Sequence, residues 1–213
     1  MSALLAAGQR GLPAWEDLPW PAGAPVPARP VLHPHSVLDF KGGETPALAR
    51  LDYYLFQSGL LSTYFETRNG MLGGDYSTKF APWLAAGCLS PRTVYHEIKR
   101  YEGLHGSNKS TYWVIFEMIW RDFYRFFAIK HGSRIFLETG VSGMPLSWSK
   151  DPELWNRWRE GRTGLPLVDA NMRELKATGF MSNRGRQNVA SHLVLDLGVD
   201  WRRGADLFEH MLL

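Results

Sequence analysis

The segment 111–131 constrains the fold more than any other part of the sequence, because it predicts a long helix that is apolar on nearly all sides. A helix of this kind must be covered by other parts of the protein all round. We therefore expect it to be buried at the centre of its domain. Few segments elsewhere alternate apolar and polar residues with the period of two that is typical of strands. The sequence thus predicts an all-α, multi-helical fold.

Capping residues, prolines and glycines predict the other helices. We expect helices from Thr45, as N-cap, to about Gly59, over residues 82–86, from Ser90 to about Glu102, from Asp151 to about Trp158, and over residues 169–178, 184–197 and 203–212. The glycine-containing stretch 70–77 predicts a loop. Residues 12–34 hold seven prolines, too many for a helix or a central strand. We therefore divide the chain into a proline-rich arm or linker, residues 1–34, and one helical domain, residues 35–213.

Composition excludes several classes of site. Cys88 is the only cysteine, which excludes an intramolecular disulfide and multi-cysteine metal or iron–sulfur sites, and we expect no metal site. No apolar run approaches the ~20 residues of a membrane span. We expect a soluble intracellular protein, in the cytoplasm or in an organelle. The net charge of +3 does not by itself indicate nucleic acid; only the local grouping of arginines favours it.

Two polar segments have the composition of anion-binding sites. Residues 183–187 combine two arginines and two side-chain amides around one glycine. Paired guanidinium groups suit phosphate and carboxylate. Residues 76–80 place two hydroxyls and a lysine directly before a predicted helix start, where free backbone N–H groups and the helix dipole favour an anion. Taken alone, this second signal is weak, because Ser and Thr before a helix more commonly cap it.

The long helix carries a stripe of chemically distinctive side chains. Trp113, Glu117, Trp120, Arg121 and Tyr124 recur at spacings of three and four, which places them along one face. One interpretation is an internal ion pair between Glu117 and Arg121 on a core helix. The other is a carboxylate beside a stacking surface for a ligand, since a buried carboxylate is costly unless a partner compensates it. The residues alone leave both open.

Seven motifs follow one another between about residue 34 and residue 213. They are Thr67-Arg-Asn-Gly, Asp75-Tyr-Ser-Thr-Lys-Phe-Ala-Pro-Trp-Leu-Ala, Leu89-Ser-Pro-Arg, Glu117-Met-Ile-Trp-Arg-Asp, Trp158-Arg-Glu-Gly-Arg-Thr-Gly, Asp169-Ala-Asn-Met and Thr178-Gly-Phe-Met-Ser-Asn-Arg-Gly-Arg-Gln. In this order they resemble the FAD-binding helical domain of the photolyase/cryptochrome family, most closely that of the DASH-type cryptochromes.

The resemblance implies a role for each matched position. Contacts with FAD are implied for Tyr64, which packs on the flavin, for Arg186, which lies beside the isoalloxazine, and for Arg121 and Asn183. The diphosphate is implied to be held by Ser77, Thr78, Lys79, Phe80 and Ala81. Contacts with nucleic acid are implied for Arg68, Glu117, Trp120, Asn183, Arg184 and Gln187. Glu117 and Trp120 are the implied catalytic pair, facing a flipped pyrimidine dimer. Trp148 and Trp201 are the implied electron relay.

The implied protein is a blue-light-dependent flavoprotein that acts on cyclobutane pyrimidine dimers in single-stranded DNA, serves as a photoreceptor, or does both. We expect a monomer with FAD as cofactor and DNA as partner, and no membrane. The family's antenna domain, which would hold a chromophore such as a folate, has no counterpart before residue 34. The family's acidic loop, which pairs with the position of Arg186, has none before residue 213.

The resemblance therefore implies a partial FAD-binding domain, incomplete at its C-terminal end, that binds FAD weakly or not at all and lacks full photolyase activity. The alternative is a flavin-free helical module that binds nucleic acid without catalysis. Such a module would bind DNA but would show no blue absorption.

Overall fold

The computed structural model of the protein describes residues 21–23, 25–26, 28 and 31–212. Most of the proline-rich arm predicted for residues 1–34 lies outside the described residues. All regular secondary structure in the described part of the chain is helical, which confirms the all-α prediction.

The described residues form nine α-helices. These are α1 (Glu44–Asp52), α2 (Tyr64–Thr67), α3 (Ala81–Ala85), α4 (Pro91–His105), α5 (Lys109–His131), α6 (Pro152–Arg159), α7 (Pro166–Thr178), α8 (Asn183–Ser191) and α9 (Trp201–Met211). Short 3₁₀ helices span Leu60–Thr63 and Gly132–Phe136, and π-helical turns span Tyr53–Gln57 and His192–Asp196.

Local capping explains where most of these helices begin. Ser90 and Asp151 cap α4 and α6 as predicted, since each side chain accepts a hydrogen bond from the backbone two residues later. The prediction of Thr45 as an N-cap is wrong. Helix α1 already begins at Glu44, after Gly43, whose φ of 97° lies in a region that favours glycine. Helix α5 begins at Lys109, because Asn108 forms a capping box with Thr111.

Two clusters of buried side chains hold the helices together. The first contains residues of α1, α3, α4 and the start of α5, among them Leu51, Leu84, Ile98 and Val114. The second joins α6, α7 and α8 and is centred on Trp158, whose indole N–H donates to the Val189 carbonyl oxygen. Phe40, which packs against the first cluster, also stacks on Phe180, the residue before Met181 of the second cluster, with their ring centroids 6.3 Å apart.

The prediction that the long helix is buried is wrong for its C-terminal half. Ser110, Thr111 and Val114 are buried, where α2 and α4 pack against α5. Farther along, Phe126 and Ile129 are 67% and 68% exposed. Apolar composition shows which residues can be buried, but burial also needs a neighbouring element, and the described residues supply none for this half. No described helix is long and apolar enough to cross a bilayer.

Candidate functional site

A cavity of about 140 Å³ lies between the loop of residues 73–80 (the 73–80 loop) and the start of α8. Seven of the residues for which FAD contacts were expected line it: Ser77, Thr78, Lys79, Phe80, Ala81, Asn183 and Arg186. Tyr64 and Arg121 are not among the lining residues. Tyr64 is buried in the first cluster, and Arg121 is exposed on α5. The fold thus gathers two distant segments of the chain around one cavity.

Lys79 is the most constrained residue of the cavity. Its φ of 61° is left-handed, a conformation that costs a non-glycine residue ~1–3 kcal/mol unless its surroundings hold it. The side chain is buried, and its ammonium lies 3.0 Å from Ser77 Oγ and 3.0 Å from the centroid of the Tyr76 ring. Burial, followed by the charge of Arg50, lowers the pKa of Lys79 to about 7.

Arg186 places a second cation at the same cavity. Burial lowers the pKa of its guanidinium, although the nearby Tyr76 hydroxyl acts in the opposite direction. Neither Lys79 nor Arg186 lies within ion-pair distance of a carboxylate among the described residues. Placing cations without close counter-ions in a partly desolvated site is costly, and an anionic ligand would offset that cost.

Glu117 lies in a second group of functional side chains, on the N-terminal half of α5. Its Oε1 accepts a hydrogen bond from Trp113 Nε1 at 3.1 Å and lies 3.9 Å from Nη1 of Arg68. The Arg68 guanidinium also lies 4.7 Å from the centroid of the Trp113 ring. The predicted ion pair between Glu117 and Arg121 is not formed, because Arg121 points outward to Asp122 at 3.3 Å.

Trp120 presents a flat aromatic surface next to this group. It is 41% exposed and stacks on Tyr124 with a centroid distance of 5.5 Å and an interplanar angle of 26°. Phe116 and Phe123 meet its ring edge-on and fix its orientation. Of the two interpretations of the stripe, the geometry favours a carboxylate beside a stacking surface.

Arg184 connects the two segments that were expected to contact nucleic acid. Its Nη2 donates to Asn69 Oδ1 at 2.7 Å, and its Nη1 donates to Gln187 Oε1 at 2.9 Å. Asn69 follows Arg68 directly, so Arg184 binds the chain next to Arg68. No role for Asn69 was expected from the sequence, although it stands inside the Thr67-Arg-Asn-Gly motif.

The two tryptophans expected to relay electrons are both half-buried. The segments that carry them are joined by a hydrogen bond of 2.7 Å from Ser149 N to Gly198 O. Trp201 Nε1 donates to the Glu138 carbonyl at 3.4 Å, while the buried Nε1 of Trp148 has no partner among the described residues. The described residues also contain no cluster of three or more His, Cys, Asp or Glu side chains that could hold a metal ion.

Several known proteins are similar to this chain in sequence and in fold. Cryptochrome DASH, chloroplastic/mitochondrial, of Ostreococcus tauri is 68% identical over 182 residues, which cover 85% of this chain and 33% of that protein. The crystal structure of the Synechocystis sp. cryptochrome has a TM-score of 0.85 and 56% identity, over 88% of this chain and 39% of that one. The crystal structure of a bacterial class III photolyase from Agrobacterium tumefaciens has a TM-score of 0.74 and 33% identity, over 82% of this chain and 35% of that one.

Residues 113–213 match the family model described as the FAD binding domain of DNA photolyase. The chain spans about a third of the length of the relatives that it matches. Its helices, its cavity and these similarities lead to one assignment: the chain belongs to the photolyase/cryptochrome family and contains sequence of that family's FAD-binding domain.

Proposed function

We propose that this chain holds the diphosphate of FAD in the cavity between the 73–80 loop and α8. The observation that carries the proposal is the buried ammonium of Lys79, which lines the cavity without a close carboxylate among the described residues; Arg186 adds a second cation to the same lining. The Ser77 hydroxyl, 3.0 Å from the Lys79 ammonium, adds a neutral donor. Charge-assisted hydrogen bonds from such groups are the strongest that a protein offers to phosphate oxygens.

This proposal is tested by titrating the purified chain with FAD and, separately, with ADP, which carries a diphosphate without a flavin. We expect saturable binding of both at pH 6.5. Lys79→Met should weaken both about tenfold or more, since a charge-assisted hydrogen bond contributes ~1.5–3 kcal/mol. Lys150→Met, at an exposed lysine outside the cavity, is the matched control and should bind like the parent chain. Equal affinities in all three proteins would contradict the proposal.

We further propose that the face formed by Glu117, Trp120, Arg68 and Arg184 receives nucleic acid. An exposed, stacked indole beside a carboxylate can hold an extruded base by its face and by its hydrogen-bonding edge. Arg68 and Arg184, which binds Asn69 next to Arg68 in the chain, can contact the adjoining phosphates. The substrate consistent with this arrangement is a pyrimidine dimer in single-stranded DNA, because a distorted, weakly stacked lesion is the least costly to extrude.

Binding of DNA is measured with a labelled oligonucleotide that contains one cyclobutane dimer and with the same oligonucleotide undamaged. Glu117→Gln should reduce the preference for the dimer while undamaged DNA binds as before. Arg184→Gln should weaken binding of both and reduce the salt dependence by about one counter-ion. Affinity that does not change with salt would argue against phosphate contacts.

When FAD is bound, it supplies the light-driven electron transfer, while the residues of this chain bind and orient FAD and DNA. The resemblance to the family implies two functions for this chemistry: repair of the dimer and blue-light sensing. They are distinguished by whether the dimer-containing oligonucleotide is restored under blue light. The match to an FAD-binding domain favours either outcome over a flavin-free nucleic-acid module.

We also propose that Trp148 and Trp201 carry electrons between the surface and the site, as half-buried indoles in two adjoining segments. Trp201→Phe should slow the light-driven reduction of oxidised FAD in flavin-loaded protein, because phenylalanine is much harder to oxidise than tryptophan. Repair by chemically pre-reduced protein should be spared. The variant's melting temperature and flavin content are checked first, since the smaller ring can leave a cavity. An unchanged photoreduction rate would leave Trp201 with a packing role only.

A further inference from the structure

Arg50, on α1, reaches across to the 73–80 loop and binds it through every nitrogen of its guanidinium. Nε donates to the Thr78 carbonyl oxygen at 3.1 Å. Nη2 donates to the carbonyl oxygens of Gly74 at 2.8 Å and Ser77 at 3.3 Å. Nη1 lies 3.1 Å from Asp75 Oδ1. One side chain therefore binds four residues of a loop that has no regular secondary structure of its own.

The surroundings of Arg50 keep its side chain in this position. The side chain is only 9% exposed, and its guanidinium carbon lies 5.2 Å from the Tyr53 ring centroid and 5.4 Å from that of Tyr54. The Tyr53 hydroxyl donates to the second oxygen of Asp75 at 3.0 Å. The N–H groups of the forked guanidinium point to separate acceptors. The single ammonium of a lysine cannot reproduce this arrangement.

Two of the three anchored carbonyls belong to Ser77 and Thr78, which themselves line the cavity. Thr78 precedes Lys79, whose left-handed backbone persists only if the neighbouring chain is held in place. Ser77, whose carbonyl binds Arg50, turns its hydroxyl to the Lys79 ammonium. Arg50 itself is not among the residues that line the cavity, so a direct contact with a ligand is not the basis of its role.

We propose that Arg50 is the positioning residue of the diphosphate site: it fixes the backbone of the 73–80 loop so that Ser77 and Lys79 face the cavity. This inference rests on the proposed role of the loop in holding the FAD diphosphate. Arg50 has a second effect through its charge, because it contributes to lowering the pKa of Lys79 after burial. A positioning effect and a charge effect can be separated experimentally.

The test uses the whole chain in four variants. Arg50→Lys keeps the charge but loses the fork, and Arg50→Met loses both. Arg100→Lys is the matched control, because Arg100 also forms hydrogen bonds through Nε and Nη2, but to Glu97 on α4. Asp75→Asn is added in case the Arg50 variants do not fold. It removes the charge from one exposed anchor and leaves the three carbonyl anchors in place.

The first measurement is the rate of tryptic cleavage after Lys79, without any ligand. Because Lys79 is buried, cleavage requires the loop to open. Arg50→Lys should accelerate this cleavage about tenfold or more, and Asp75→Asn should accelerate it less. Arg100→Lys should leave the rate of cleavage after Lys79 unchanged. Cleavage at sites in α5, measured in parallel, should proceed at the same rate in all variants. Unchanged cleavage after Lys79 in folded Arg50→Lys protein would overturn the proposal.

The second measurement is the affinity for ADP and FAD as a function of pH. Arg50→Lys should weaken both ligands about tenfold and leave the midpoint of the pH dependence in place. Arg50→Met should also move that midpoint upward, because one of the charges that depresses the Lys79 pKa is gone. Asp75, Glu174 and Arg186, the other charged groups that act on Lys79, remain unchanged in both variants. A merely structural role for Arg50 would not move the midpoint.

The outcomes separate this inference from the function on which it rests. If the parent chain binds ADP and FAD and Arg50→Lys binds them equally well, the diphosphate site stands and the role of Arg50 is refuted. If the parent chain binds neither ligand, the proposed cofactor role of the loop fails and the inference fails with it. Accelerated cleavage together with weakened binding of both ligands supports both.

Discussion

Gly185→Ala tests whether close packing between α7 and α8 sets the position of the arginines in the site. Gly185 is buried in the first turn of α8, between Arg184 and Arg186. A Cβ at this position would overlap Oδ1 of Asn171 and lie 2.9 Å from its Cγ and 3.0 Å from Cγ of Met181. Asn171 is itself buried and donates to the Leu167 carbonyl at 2.8 Å, so it cannot move away freely.

The magnitude follows from three contributions. Overpacking a buried site costs ~1–3 kcal/mol, and this overlap belongs at the upper end. Displacing Asn171 breaks its hydrogen bond to Leu167, which adds about 1 kcal/mol. Alanine in place of glycine in a helix stabilises the folded state by up to ~1 kcal/mol, which offsets part of this cost. We therefore expect Gly185→Ala to lower the free energy of unfolding by about 2–3 kcal/mol, and to weaken ADP binding because Arg186 shifts with α8.

The assay is urea unfolding of a double-mutant cycle. Asn171→Ala removes two of the three close contacts, so Gly185→Ala in that background should be nearly neutral. The coupling energy should be about 2 kcal/mol, well above the ~0.5 kcal/mol expected for independent sites. If Gly185→Ala costs the same in both backgrounds, the close approach of α7 and α8 is not the reason that glycine is needed here.

Three further predictions concern charges and hydrogen bonds of the site. Between pH about 7 and 10.5, the unfolded chain binds more protons at Lys79 than the folded chain does, so stability should rise with pH there, and Lys79→Met should flatten that rise in urea unfolding. Trp113→Phe removes the donor to Glu117 but keeps a ring, so dimer preference in the DNA-binding assay should fall while binding of undamaged DNA is retained. Burial raises the pKa of Asp169, but its hydrogen bonds from Thr163 and its other partners lower it below 3.8 overall. The carboxylate's stability contribution is then complete above that pH and lost as pH falls through the folded-state pKa, and Asp169→Asn should cost ~1.5–3 kcal/mol at pH 7 by thermal or urea unfolding.

Local sequence signals predicted the start of a helix correctly where a capping side chain binds the backbone of a residue close to it in the chain. Ser90 and Asp151 cap their helices through contacts two residues away, and such contacts need no tertiary partner. Thr45 failed as a cap because Gly43 could turn the chain two residues earlier. The order of motifs also indicated the family, since it depends only on the residues themselves.

The partners of the site residues could not be predicted in the same way. Helical spacing alone allowed Glu117 to pair with Arg121, but the structure pairs it with Trp113 and Arg68. Arg50 was missed altogether, because one arginine in a helix resembles an ordinary solvent-exposed cation. Its four contacts lie 24 to 28 residues away, and nothing in the sequence around it points to them.

The sequence by itself determined the helical class, the starts of the helices that Ser90 and Asp151 cap, and the family, because these depend on short-range spacing and on the order of residue types. Tertiary structure alone decided which apolar residues are buried and which cations face the cavity. Burial and pKa depend on what packs nearby in space, as the exposed C-terminal half of α5 and the depressed pKa of Lys79 show. The exposure of that half of α5 follows from what packs against it. The pKa of Lys79 follows from the desolvation and the neighbouring charges that folding brings to it.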